Sequence, residues 1–194
     1  MIIGITGGTG SGKTTLLEMI RDLGGVVLDC DAIYHRLLET DRALLSAIET
    51  RFPGTVEDGK LQRKKLGAIV FADKNALLDL NKLTHSAVKE EVLCQLKSCP
   101  KLAAIDAIGL FESGLNELCK LTVAVVAPQE NRILRLMARD NISREYAAQR
   151  IAAQPAQEEF ARRCDFTLTN DSTKEVFQEK CLAFLREQGI MKEN

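Results

Sequence analysis

The sequence predicts an α/β fold built on a parallel sheet, and three observations carry that prediction. A glycine-rich turn at 7–14 lies between an apolar run, 2–5, and a stretch in which Leu16, Leu17, Met19, Ile20 and Leu23 recur at helical spacing. Further short apolar runs follow along the chain, separated by segments of helical periodicity. The length of 194 residues and the 45% apolar content suit one domain with inserted lobes.

The elements are predicted in order as follows. The first strand spans 2–6 and runs into the glycine-rich turn. The second, 25–28, is a short V-V-L run closed by Asp29. Helical spacing then governs 43–52, 66–71, 76–83 and 88–96, with the turn around Pro53, Gly54 and Gly59 separating the first helix from the second. This stretch is too long for a simple crossover, so it reads as a helical lobe beside the sheet. A third strand is predicted at 102–108 and a fourth at 121–127, where Pro128 ends it. A second helical insert covers 129–154. It breaks at Asp140, Asn141 and Ser143, and Ser143 is placed to cap its second helix. The fifth strand is 166–169. A closing helix, 174–187, carries Val176, Phe177, Cys181, Phe184 and Leu185 toward the core. The strands are apolar throughout, as strands covered on both faces should be.

Composition narrows the function classes. With 26 basic and 27 acidic residues the net charge is −1, which argues against bulk capture of nucleic acid or an anionic membrane. Neither a run of membrane-spanning length nor a signal-peptide layout is present at the N-terminus, so a cytosolic location is expected. Cys30, Cys94, Cys99, Cys119, Cys164 and Cys181 form no C-x-x-C pair, and neither histidine lies at zinc spacing from them. The expectation is reduced, mostly buried thiols.

The turn at 7–14 fits the full phosphate-loop pattern G-x-x-x-x-G-K-S/T, through Gly7, Gly12, Lys13 and Thr14. Without Cβ atoms in the way, backbone N–H groups can wrap a phosphate, and the following helix N-terminus adds free donors and partial positive charge. Gly8, Gly10, Ser11, Gly12, Lys13, Thr14 and Thr15 are therefore predicted to hold a nucleoside triphosphate. Lys13 would reach its β- and γ-phosphates, and the Thr14 hydroxyl would ligate Mg²⁺.

Other candidates carry two readings each. Asp29-Cys30-Asp31 closes the second strand, where ligands of parallel sheets bind. Its carboxylates either serve as a base or metal-water holder, or cap the helix that begins at Ala32. Asp106 is either a second acid near Mg²⁺ or the partner of a nearby cation, and the second reading is the simpler. Glu112, just past the third strand, either meets substrate or begins a helix. Arg132, Arg135 and Arg139, spaced three and four apart, form either a lid over the triphosphate or a solvated basic face. His85 is either a packing residue or a substrate contact, and Arg63 either meets an anionic substrate or lies idle on the surface.

Taken together, these segments resemble the dephospho-coenzyme A kinase family. The likeness runs through I-T-G-G-T-G-S-G-K-T-T at 5–15, D-C-D at 29–31, G-K-L-Q-R-K-K-L at 59–66, L-N-K-L-T-H at 80–85, G-L-F-E at 109–112, R-D-N-I-S-R-E at 139–145, R-I-A-A-Q at 150–154 and C-D-F-T-L-T-N at 164–170. Ile108, Gly109 and Ser86 depart from the family pattern, which has Pro-Leu at the first two positions and proline at the third. The resemblance implies a three-layer P-loop kinase fold in a single domain, 1–194, with a parallel five-stranded sheet, a helical substrate lobe near 39–100 and a lid near 131–159. It implies transfer of the ATP γ-phosphoryl to the ribose 3′-hydroxyl of dephospho-coenzyme A. It makes Asp31 the general base, with Lys13 and Arg139 neutralising charge. Asp31, Arg63, His85 and Glu112 are the residues expected to face the acceptor. A kinase with another small acceptor and a nucleotide switch are the alternatives. The guanine-recognition pattern N-K-x-D is absent, because Asn81-Lys82-Leu83-Thr84 lacks the aspartate.

Overall fold

The computed structural model describes residues 1–99 and 101–191. β1 (Ile2–Thr6) is buried from its second residue onward, which suits a central strand. It pairs in parallel with β5 (Ala103–Asp106) on one side and β6 (Leu121–Val126) on the other. β2 (Val26–Asp29) and β7 (Phe166–Thr169) complete a five-stranded sheet in the order β2-β5-β1-β6-β7. All five strands coincide with predicted apolar runs, although β5 stops at Asp106 rather than at 108.

Two apolar clusters cover the sheet. α1 (Lys13–Asp22) and α9 (Lys174–Glu187) pack Leu16, Ile20, Phe177, Cys181 and Leu185 against Ile3, Ile5 and Val123. On the other cluster, Leu28 and Ile105 meet α2 (Cys30–Thr40), α3 (Arg42–Arg51), α4 (Arg63–Val70) and α5 (Lys74–Leu96). A third, smaller cluster of Ile133, Leu136, Ala147 and Ile151 joins α6 (Gln129–Asp140) to α7 (Arg144–Ala152). Asn141, at φ 52°, ends α6 in the left-handed conformation, and the Tyr146 N–H donates to Ser143 Oγ at 3.2 Å, the expected cap of α7.

The helical region between β2 and β5 differs from its prediction in two places. The runs 76–83 and 88–96 belong to one helix of 23 residues, α5. Thr84 lies between them, and its hydroxyl bonds back to the Leu80 carbonyl at 3.0 Å, so the polar link continues the helix instead of breaking it. A hairpin also appears, β3 (Val56–Glu57) against β4 (Lys60–Leu61). Asp58 and Gly59 turn it with φ of 50° and 72°, the double positive φ of a type I′ turn. A short helix absent from the prediction, α8 (Gln157–Arg163), precedes β7. The thiols are free, but only Cys30 and Cys181 are buried; Cys94 is exposed, against the expectation of mostly buried cysteines. No helix among the described residues is long and apolar enough to cross a membrane.

Candidate active site

The register of the sheet brings three segments, distant in sequence, to one edge. Asp106 sits opposite Ile5 on one side and Asp29 on the other. The loop after β1 and the Asp29-Cys30-Asp31 turn therefore flank the end of β5.

The loop wraps tightly before α1. At Gly12, φ is 100°, and a Cβ there would come within 2.1 Å of Asn170 Nδ2. Lys13 opens α1, and its Nζ donates to the Gly7 carbonyl at 2.8 Å. Burial pushes the Lys13 ammonium below its ordinary pKa, while Asp106 and Asp31 pull it back up. The Ser11 hydroxyl is buried and finds no hydrogen-bond partner. A loop with a buried hydroxyl still free to donate, a lysine and a helix N-terminus is suited to an anion.

Gly8, Thr9, Gly10, Ser11, Gly12, Lys13 and Thr14 line a cavity of about 820 Å³ together with Asp31, Asp106, Arg139 and Arg150. Of the residues predicted for the nucleotide, only Thr15 lies outside this lining. Asp106 lines the cavity and feels the charge of Lys13, without an ion pair to it. Burial pushes its carboxyl up to about 6, against the pull of Lys13. Thr14, Asp31 and Asp106, all in this lining, carry oxygen donors, the ligand chemistry that Mg²⁺ requires.

The two aspartates of the turn divide their duties. Asp29 is the cap: its Oδ1 accepts the Ala32 N–H at 2.9 Å, and α2 starts at Cys30. The capping role weighed for Asp31 thus falls to Asp29, and Asp31 stands in the first helical turn facing the loop. Cys30, packed beneath, is pushed up to about 12 by burial and then by Asp106, which leaves it a neutral thiol.

A second cavity, about 210 Å³, adjoins the first. Asp31 and Ile108 line both. His85 enters it from α5 with Asn81, one turn earlier on the same face, and Tyr34 enters from α2. Tyr34 also lines a third cavity, about 190 Å³, and it is here that Arg63 lies, paired with Glu39 at 3.2 Å. Glu112 belongs to neither of the first two linings: it is paired with Arg163, whose guanidinium stacks on Phe111 at 4.4 Å from the ring centre. The sequence reading of Glu112 as an acceptor contact therefore finds no support in its geometry.

Nor do the three arginines of α6 act alike. Arg132 and Arg135 are tied to loop carbonyls; Arg132 lies behind the cavity, while Arg135 also lines it. Arg139 is exposed at the mouth, where Asp140 takes hydrogen bonds of 2.6 and 3.0 Å from it and one of 2.5 Å from Arg150. These bonds hold the Asp140 carboxyl down at about 2. Asn81, Tyr34, Arg150 and Gln154 were missed as site residues. Asn81 had a signal, its four-residue spacing from His85; Gln154 had none beyond its place in R-I-A-A-Q.

A phosphate loop on β1, acids at the neighbouring strand ends and arginines closing from α6 and α7 define a P-loop phosphotransferase. Comparison with known proteins refines the class. A model of the family described as dephospho-CoA kinase matches residues 1–175. The dephospho-CoA kinase of Bacillus anthracis is 35% identical over 197 residues, covering 98% of each chain. That of Carboxydothermus hydrogenoformans is 34% identical, covering 95% of this chain and 93% of its own. Among solved structures, a Thermus thermophilus protein superposes with a TM-score of 0.81 at 34% identity, covering 97% of both chains. The dephospho-CoA kinase from Campylobacter jejuni gives 0.68 at 29%, covering 98% of both. A shikimate kinase from Bacteroides thetaiotaomicron shares the fold, with a TM-score of 0.54 at 18% identity, covering 98% of this chain and 99% of its own. This chain belongs to the dephospho-CoA kinase family.

Proposed function

We propose that the chain transfers the γ-phosphoryl of ATP to the ribose 3′-hydroxyl of dephospho-coenzyme A, with Asp31 as the general base. One observation carries the reading: Asp31 lines both the phosphate cavity and the smaller cavity beside it. A carboxylate at that junction can take the proton of an attacking hydroxyl as its oxygen meets the terminal phosphorus. The new bond forms between the 3′-oxygen and Pγ, the bond from Pγ to the β-phosphate oxygen breaks, and ADP leaves.

The remaining groups position and neutralise. Lys13 turns from the Gly7 carbonyl to the β- and γ-phosphate oxygens. Arg139, released from Asp140, meets the transferred group from the lid side and excludes water as a competing acceptor. Mg²⁺ held by Thr14, with Asp31 and Asp106 in the same lining, would offset charge on the phosphate oxygens. Asn81 and His85 face the ribose and base of the acceptor. Arg63 meets its diphosphate in the cavity that Tyr34 connects. In this reading 39–100 is the substrate lobe and 131–159 the lid of one domain, 1–194; residue 100 and residues 192–194 lie outside the described residues.

ADP release measured over a panel of acceptors tests the assignment. Release should follow dephospho-coenzyme A in equal amount with coenzyme A formed, and should be absent with nucleoside monophosphates and with water alone. Turnover with a nucleoside monophosphate in its place, or steady hydrolysis without acceptor, would contradict it.

A further inference from the structure

A loop that turns its N–H groups toward an anion must turn its carbonyls away, and those carbonyls need donors of their own. Here α6 supplies them. Arg132 Nε donates to the Thr9 carbonyl at 2.9 Å, and Arg135 Nη1 donates to those of Gly10 and Ser11, each at 3.3 Å. Asn170 Nδ2 adds a second bond to the Ser11 carbonyl at 2.9 Å, while its Oδ1 accepts from Arg135 Nη2 at the same distance. Gln154, just past α7, closes the set: its Oε1 accepts the Thr9 N–H at 2.7 Å and Arg132 Nη2 at 3.3 Å. Gly8 lies flat against this assembly, since a Cβ there would come within 2.2 Å of Arg132 Nη2.

Arg132 is only 3% exposed, a costly place for a cation unless it has work to do. Its partners are carbonyl and amide oxygens rather than carboxylates. Burial alone pushes both guanidiniums down from their ordinary values, as expected of cations without an acidic partner. Their charge is therefore left for the anion in front of the loop.

We propose that Arg132, Arg135 and Gln154 are positioning residues that hold the phosphate loop in its anion-binding shape, Arg132 from behind it and Arg135 and Gln154 from the edge of the cavity, with the two guanidiniums strengthening its field. The proposal rests on the reading of this loop as the ATP site. It divides α6: the part carrying Arg132 and Arg135 is fixed to the loop, and Arg139, which makes no bond to the loop, is free to move onto the nucleotide. It also joins the end of α7 to the loop tip through one amide side chain.

The test is Gln154→Met, which keeps the length of the side chain and removes the acceptor. ATP, ADP and dephospho-coenzyme A affinities are measured by calorimetry, along with kcat, KM and the unfolding midpoint of the free protein. ATP and ADP affinity should each fall about tenfold, the consequence of removing the acceptor that fixes the half-buried Thr9 N–H and the Arg132 guanidinium at the loop. Dephospho-coenzyme A affinity should hold, and KM for ATP should rise more than kcat falls. Arg132→Lys, which keeps the charge but loses the planar fork, should shift the same constants in the same direction. Unchanged nucleotide affinity in both variants would overturn the proposal, as would equal weakening of all three ligands, the result of general destabilisation. Failure of the unaltered protein to bind ATP would instead defeat the functional reading, and the proposal with it.

Discussion

Asp106 and Lys13 feel each other's charge on the wall of the phosphate cavity, yet burial outweighs the attraction for both. For Asp106 the sign of the consequence is clear. Its folded pKa is raised to about 6, so the folded state holds the proton more tightly than the unfolded chain does. Stability is lost as pH climbs from near 4 through 6, where the buried carboxyl ionises. Asp106→Asn should therefore raise the stability of the nucleotide-free protein at pH 8 by about 3 kcal/mol, with the gain shrinking as pH falls toward 4. Thermal unfolding across that range checks it; a gain that grew on acidification would contradict it. The neighbouring acids show what a residue list can and cannot reveal. The D-C-D pattern marked the place, but whether Asp29 or Asp31 caps depends on where α2 begins, and a shift of two residues in the helix start exchanges their roles. Glu112 and Arg63 are named from charge, position and the family resemblance of their segments. Each met a nearby opposite charge, which sequence spacing does not disclose: Arg163, 51 residues away, and Glu39, 24 residues away.

The start of α2 is the local device on which the proposed base depends. Asp29 fixes it by accepting the Ala32 N–H. Asp29→Ala should destabilise the protein by about 1 kcal/mol and lower turnover by loosening Asp31, whereas Asp29→Ser should retain most of both. Equal turnover in the unaltered protein and the alanine variant would separate the cap from the chemistry. The longer elements were legible because their periodicity is strong, as in α1 and α9. α5 was divided because Thr84-His85-Ser86 looks like a polar interruption; the Thr84 hydroxyl, bonded within the helix, carries the turn through. The hairpin at 56–61 was the reverse case. Its Asp58-Gly59 turn was a clear signal, but strands of two residues show no alternation to support it. The arginines of α6 were read as one face, yet their three- and four-residue steps carry Arg132 behind the loop and leave Arg139 at its mouth.

The sheet makes the site by order rather than by proximity along the chain. Strand order β2-β5-β1 sets the loop after β1, the turn after β2 and Asp106 side by side, and α2 and α5 then enclose a smaller cavity against the same edge. The strands themselves were evident from their apolar runs. Their order was not, because pairing depends on crossovers that the runs do not encode, and so the meeting of two cavities at Asp31 could be known only from the structure. That meeting is the centre of the proposed mechanism. The phosphoryl-transfer rate of Asp31→Asn, at saturating ATP and dephospho-coenzyme A and with ATP affinity measured alongside, tests it most directly. The rate should fall by about 10²- to 10⁴-fold while ATP affinity stays near that of the unaltered protein. Transfer at a near-normal rate would show that the acid shared by the two cavities is not the base.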